Sequence, residues 1–248
     1  MRTALEIAYL GGGFAGWQVQ PNARTVQGEL QQALARLAGQ PVRLTGAGRT
    51  DAGVHAAGQV AHGDLPAAIP LRGVRAALNG MLPPDVRVMR AWRVPSDFHA
   101  SRSAVAKRYR YRLAFDTTIE PWEALRTWQV QFRLDVPAMT VAADSIAGTH
   151  DFAAFALSGH SGTGRRGCVR TVHSLALRRR GRRLAIVVEG DGFLRGMVRR
   201  IAGALVEVGR GAREESWIAA LLADPTTRPP APTAPAHGLT LERVFYER

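Results

Sequence analysis

Cysteine and lysine are nearly missing from this chain: Cys168 and Lys107 are the single representatives among 248 residues. A lone cysteine forms no disulfide within the chain and supports no cysteine-based zinc site, so a fold held by packing in a reducing compartment is expected. Long apolar runs are missing as well. No stretch reaches the ~20 residues that cross a bilayer. The start, Met1-Arg2-Thr3-Ala4-Leu5-Glu6, lacks the basic-then-apolar order of a secretory leader. The expectation is a soluble, cytoplasmic protein. Acidic side chains are also scarce, with 20 against 33 basic ones and a net charge of +13. That excess favours a polyanionic partner, nucleic acid first. Nearly all of it is guanidinium, which pairs with phosphate bidentately and stacks on bases. Biased codon usage would explain the choice of arginine over lysine, but not the net excess.

Several catalytic signatures are missing too. There is no His-Glu-x-x-His, which leaves His55 and His99 to be read as hydrogen-bonded structural histidines rather than metal ligands. Gly159-His160-Ser161-Gly162 is no nucleophile elbow and reads as a mobile loop which, with Arg165, Arg166 and Arg170, is placed to touch RNA. No Gly-Lys-Ser/Thr follows the glycine-rich stretch, so a phosphate-cradling P-loop is excluded.

What is present is Gly46-Ala47-Gly48-Arg49-Thr50-Asp51-Ala52-Gly53-Val54-His55-Ala56. In extended backbone residues i and i+2 project the same way, so Arg49 and Asp51 share a face and the guanidinium favours the ionised carboxylate. An ionised, fixed carboxylate is a nucleophile or a base. A bare arginine-x-aspartate is more often an ordinary loop ion pair.

Around this loop the chain alternates irregularly between strands and helices. Leu5, Ile7 and Tyr9 mark a first strand. Val26, Leu30, Leu34 and Leu37 fall at helical spacing, with Thr25 as cap and Gly39 as stop. Strands are read at Val42–Leu44, Gln59–Asp64 and Val86–Trp92, with a helix at Leu71–Met81. The second half reads as a strand at Lys107–Phe115 and a helix from near Pro137. A hairpin of Thr171–Leu177 and Arg183–Glu189 follows, then a long helix from Met197 ended by Gly209 and a short one at Trp217–Leu222. After a proline-rich segment from Pro225 to Gly238, a last strand runs from Leu239 to Tyr246. Short hairpins with interspersed helices predict α+β with a largely antiparallel sheet, divided as residues 1–103 and 104–248.

In Lys107-Arg108-Tyr109-Arg110-Tyr111-Arg112-Leu113, period-two alternation sets Tyr109, Tyr111 and Leu113 against Arg108, Arg110 and Arg112. Two readings stay open: an amphipathic strand with its arginines in water, or a platform that stacks bases and contacts phosphates.

The loop from Gly46 to Ala56 resembles the signature of the tRNA pseudouridine synthase A (TruA) family. Further resemblance lies in Phe14-Ala15-Gly16-Trp17-Gln18, the segment from Lys107, Gly148–Phe152, Gly190–Arg200 and Gly238-Leu239, which together span nearly the whole chain. The resemblance implies a pseudouridine synthase fold, with two ferredoxin-like α/β halves, a joined and largely antiparallel sheet, and a central basic cleft. It implies an isomerase that converts uridine to pseudouridine at positions 38, 39 and 40 of the tRNA anticodon stem-loop. It needs no cofactor and acts as a homodimer. Asp51 maps onto the nucleophile, Arg199 onto the arginine that pairs with it, and Tyr109 onto the tyrosine that meets the target base; Arg49 completes the catalytic set. Arg108 and Arg110, with the three loop arginines, are the expected RNA contacts. Departures stand at Leu10, where the family has aspartate, at Gly196, often histidine, and at Arg200, often asparagine. A non-catalytic RNA-binding protein and a synthase with another RNA substrate are the alternatives.

Overall fold

A computed structural model describes residues 1–157, 167–225 and 231–247. The chain forms two compact units, Met1–Val105 with Leu241–Arg248, and Ala106–Thr240. A division by sequence order alone leaves the last strand with the second half; its packing groups Leu241 onward with the first.

The first unit starts with strand β1 (Arg2–Tyr9), whose Thr3, Leu5, Ile7 and Tyr9 face inward at period two. Helix α1 (Val26–Ala38) follows. Thr25 caps it by accepting a hydrogen bond from the Gly28 N–H, and Gly39 closes it with a left-handed φ of 67°. Such a cap stabilises a helix by about 1 kcal/mol. Next come β2 (Thr45–Gly46), β3 (His55–Asp64), α2 (Leu71–Met81) and β4 (Val86–Arg93). β1 lies between β3 and β4, antiparallel to both, and β2 pairs antiparallel with β3.

Val42 and Leu44 are buried and Arg43 is exposed, which is the alternation of a strand, yet no strand forms there. The Leu44 N–H donates to the Gln31 side chain at 3.1 Å, and the Gln27 side chain donates to the Leu44 carbonyl at 2.8 Å. Glutamines of α1 thus occupy the backbone groups that a neighbouring strand would take, and regular pairing shrinks to Thr45–Gly46.

The second unit holds β5 (Ala104–Phe115), α3 (Pro121–Ala124), β6 (Trp128–Val130), α4 (Val136–Asp144), β7 (Gly148–Asp151), β8 (Val169–Arg180), β9 (Arg183–Gly190), α5 (Met197–Gly209) and α6 (Trp217–Ala223). Its strands run in the order β5-β9-β8-β7, antiparallel throughout, while β6 adds to β5 in parallel. α5 is almost wholly buried, with Met197, Ile201, Leu205 and Val208 inward as the spacing predicts. The last strand, β10, spans Leu239–Tyr246. The architecture is α+β on a mostly antiparallel sheet, as the sequence predicts. Strands β6 and β7, of three and four residues, are too short to show in the sequence pattern.

Candidate active site

Ala47 to Val54 joins β2 to β3. Thr50 is buried, Arg49 is exposed and Asp51 is half-buried. Thr50 is therefore the buried residue between two more exposed ones, the burial alternation that period two predicts. The Val54 N–H donates to the Asp51 carbonyl at 3.1 Å, closing a tight turn directly after the carboxylate.

Thr50 is the anchor. Its hydroxyl is hydrogen-bonded to the Tyr9 hydroxyl at 2.8 Å, and its carbonyl accepts from the Trp17 N–H at 3.1 Å. Gln59 bonds the same tyrosine hydroxyl, and its amide donates to the Gly48 carbonyl at 2.9 Å. The Ala47 N–H donates to the Val60 carbonyl at 2.7 Å. Burial pushes the Tyr9 phenol up to about 12, against the opposing pull of its bonds to Thr50 and Gln59. The phenol stays neutral and keeps its proton for this network. Gly16 allows the close approach: its φ is 106°, and a Cβ there would fall 2.7 Å from the Thr50 carbonyl oxygen.

His55 is buried at the start of β3, and its Nδ1 accepts from the Gly11 N–H at 3.0 Å. This serves the turn at Gly11–Gly13, whose preceding residue, Leu10, is exposed and makes no side-chain cap. A histidine from the loop thus satisfies a backbone N–H that the Leu10 side chain cannot cap. His99 is likewise structural, its Nδ1 accepting from the Ser101 and Arg102 N–H groups at 3.2 and 3.3 Å.

The remaining expected residues lie in the second unit. Tyr109 is 8% exposed on β5, and its ring meets Phe193 edge-on at 5.1 Å between centroids. Tyr111 is fully buried and donates to the Pro235 carbonyl at 2.8 Å. Burial raises its phenol far above the ordinary value, although the Arg199 charge acts in the opposite sense. Arg199, in the first turn of α5, donates from Nε to the Ala234 carbonyl at 2.8 Å and accepts at its own carbonyl from the Ala234 N–H at 3.1 Å. Its guanidinium is thus oriented from the backbone of another segment. Gly196 precedes it with φ 72°, and a Cβ there would meet Leu157 at 2.5 Å. Any side chain at this position would displace that leucine.

Arg108 is ion-paired with Glu189 at 2.6 Å, and Arg110 is half-buried. Arg170 is buried, and its Nη1 donates to the Gly167 and Val169 carbonyls at 3.0 and 2.6 Å, so part of its bonding capacity is taken by its own turn. Arg165 and Arg166 lie outside the described residues. Lys107 is held below the ordinary lysine range, first by burial and then by Arg170, with Asp191 acting against both. Among the described residues no three His, Cys, Asp or Glu side chains converge as metal ligands. Nor is any helix there long and apolar enough to cross a membrane.

Arg49 and Asp51 are therefore neighbours in the first unit, and Tyr109, Arg108, Arg110, Arg170 and Arg199 belong to the second. Sequence reasoning missed Tyr9, Thr50 and Gln59 as supports of the loop. Tyr9 and Gln59 fall on strand positions that read as core. The one available signal was that a buried tyrosine hydroxyl needs a partner.

Residues 7–101 and 142–247 match the family described as tRNA pseudouridine synthase, a match that takes in Asp51 and Arg199 and leaves out the segment around Tyr109. A tRNA pseudouridine synthase A of Myxococcus xanthus is 46% identical over 246 residues, covering 99% of this chain and 92% of that one. One of Frankia casuarinae is 45% identical, covering 99% and 89%. One of Halalkalibacterium halodurans is 43% identical, covering 96% and 90%. A family match over most of the chain and relatives aligned from end to end place it in one group: the chain belongs to the tRNA pseudouridine synthase family, isomerases that act on tRNA.

Proposed function

We propose that the protein converts uridine to pseudouridine in the anticodon stem-loop of tRNA, at positions 38, 39 and 40, with Asp51 as the nucleophile. The observation that carries this reading is the loop itself. A half-buried carboxylate is held in a tight turn whose inward residue, Thr50, is tied to Tyr9 and to the backbone of Trp17. Such anchoring suits a group that must meet a reacting atom within a fraction of an ångström.

The target base leaves its stack at a cost of a few kcal/mol, offset by arginine–phosphate contacts and by stacking on Tyr109. Asp51 attacks C1′ of the nucleoside, the N1–C1′ bond breaks, and the bonding pair passes to the uracil. The base turns within the site, a C5–C1′ bond forms, the carboxylate leaves, and the C5 hydrogen departs as a proton while N1 gains one. No electrons are exchanged with a co-reactant and no phosphoryl energy is consumed. Arg49 and Arg199 are assigned to stabilising charge on the base as it leaves. Arg108, Arg110, Arg165, Arg166 and Arg170 are assigned to the RNA backbone. A homodimer acting in the cytoplasm completes the reading, which the relatives' names support only as far as tRNA pseudouridylation.

Chemical mapping of pseudouridine in unmodified tRNA incubated with the purified protein tests the site. Modification confined to positions 38 to 40 is expected. Conversion elsewhere, with those positions untouched, would refute the assignment of the stem-loop.

A further inference from the structure

Directly opposed residues of an antiparallel pair share a face. On β5 and β9 the register sets Arg108 opposite Glu189, Arg110 opposite Val187, Arg112 opposite Ala185 and Ala114 opposite Arg183. Past a bulge, β8 continues the same rows, with Arg178 opposite Ala185 and Arg180 opposite Arg183. One face of the second unit's sheet therefore carries six arginines, Arg108, Arg110, Arg112, Arg178, Arg180 and Arg183. Tyr109, Tyr111 and Leu113, buried, take the other face.

The arginines at the β8–β9 end are not equivalent. Arg183 is paired with Glu123 at 2.5 Å and Glu120 at 3.3 Å, and it holds the Glu123 carboxyl below its usual range. Arg182, in the turn, is paired with Asp116, as is Arg133. Arg179, on the opposite face, lies over the Phe115 ring at 5.4 Å and donates to the Gly181 carbonyl at 2.9 Å. That leaves Arg178 and Arg180, both exposed, to which no carboxylate is paired among the described residues. They project from one strand face roughly 7 Å apart. Arg180 also stands directly across from Arg183, a like-charge pairing that does nothing for the sheet. The same exposed row continues from Arg178 into Ala176 and Ser174, so no bulky side chain blocks access along the strand.

We infer that the β8–β9 hairpin end, through Arg178 and Arg180, is a docking surface for the phosphate backbone of tRNA, separate from the reacting uridine. It rests on tRNA being the substrate. Two guanidiniums on an exposed strand, without a carboxylate partner among the described residues, complement a polyanion, and bidentate bonding makes each a phosphate ligand. The exposed row has none of the large apolar side chains that a membrane surface or the core of a protein interface requires. A second copy of the same face would set arginine against arginine. Val188, the partner of Tyr109, lies five residues along β9 from Arg183. That is roughly 17 Å of strand, so these contacts act on docking and leave the chemical step alone.

The test compares wild type with Arg178→Ala/Arg180→Ala and Arg178→Lys/Arg180→Lys. tRNA affinity is measured against salt concentration, steady-state turnover on the same tRNA, and melting temperature. The alanine pair is expected to melt like wild type, raise KM several-fold and leave kcat within about twofold. It should also flatten the log–log salt slope by about 1.4 to 1.8, the loss of two phosphate contacts. The lysine pair should restore most of that slope. A slope and KM equal to wild type in the alanine pair would overturn the inference. So would a fall in kcat at constant KM, or loss of binding to anionic vesicles with tRNA binding intact. Failure of wild type itself to bind tRNA would instead refute the substrate assignment, so the two failures are told apart.

Discussion

Thr50, one residue before Asp51, anchors the loop that carries the carboxylate. The Tyr9–Thr50 hydroxyl pair spans 41 residues of sequence, and both groups are buried. Removing one partner leaves the other desolvated, a loss of about 1–3 kcal/mol when nothing replaces it. Tyr9→Phe is expected to lower stability by about 1–2 kcal/mol and kcat by about tenfold with little change in KM. Denaturant unfolding and single-turnover kinetics on tRNA check both, and an unchanged kcat would mean that the loop does not depend on this anchor. Gly16→Ala attacks the same place from the backbone side. It forces a Cβ onto the Thr50 carbonyl at a φ that L residues avoid, and a cost of about 1–3 kcal/mol is expected in the same unfolding assay. At this scale the sequence was half legible. The shared face of Arg49 and Asp51 is read from their spacing, while their catalytic role rests on the resemblance of the loop. Tyr9 reads only as another inward strand residue, because its partner is distant in the chain.

His62 on β3 and His99, in the segment after β4, form a pair of histidines. His62, opposite Thr45, has an Nδ1 that accepts from the Ala100 N–H at 3.2 Å, and its ring lies 5.1 Å from that of His99. Burial lowers both imidazoles below the ordinary value, and for His62 the neighbouring His99 and Arg2 lower it further, against the carboxylate of Asp64. Arg102 adds to the lowering at His99. A histidine whose folded pKa is depressed contributes stability that is full above its unfolded value of about 6.5 and is lost as pH falls through the folded value. Asp64, held low by Arg2, acts in the same sense at a lower pH. Melting temperature is therefore expected to drop between about pH 7 and pH 5, and His62→Gln, which cannot charge, should flatten that drop. An equal drop in both proteins would assign the pH dependence elsewhere. Elements of this size were legible where local chemistry sets the ends, as at Thr25 and Gly39. They were not legible where side chains from another element replace a strand's partner, as Gln27 and Gln31 do at Leu44. Nor did the pattern show that the Arg170 guanidinium is turned back onto the carbonyls of its own turn.

For the whole molecule, a charge of +13 carried almost entirely by arginine makes association with tRNA steeply salt-dependent. The logarithm of the binding constant is expected to fall linearly with the logarithm of salt concentration, with a slope near 0.7 to 0.9 per phosphate contact, and unrelated RNA should bind measurably at low salt. Affinity independent of salt would mean that the charge excess serves something other than RNA. The α+β class was legible from irregular alternation and hairpin spacing. The return of β10 to the first unit was not, because nothing local in Leu239–Tyr246 specifies its neighbour. The central claim is that Asp51 performs the isomerisation in a site otherwise intact. Its most direct test is tritium release from tRNA labelled at uridine C5, measured under single turnover with wild type and Asp51→Asn at equal, saturating occupancy. Release by wild type and none by the variant, at unchanged tRNA affinity, is the expected result. Undiminished release from Asp51→Asn would contradict the account.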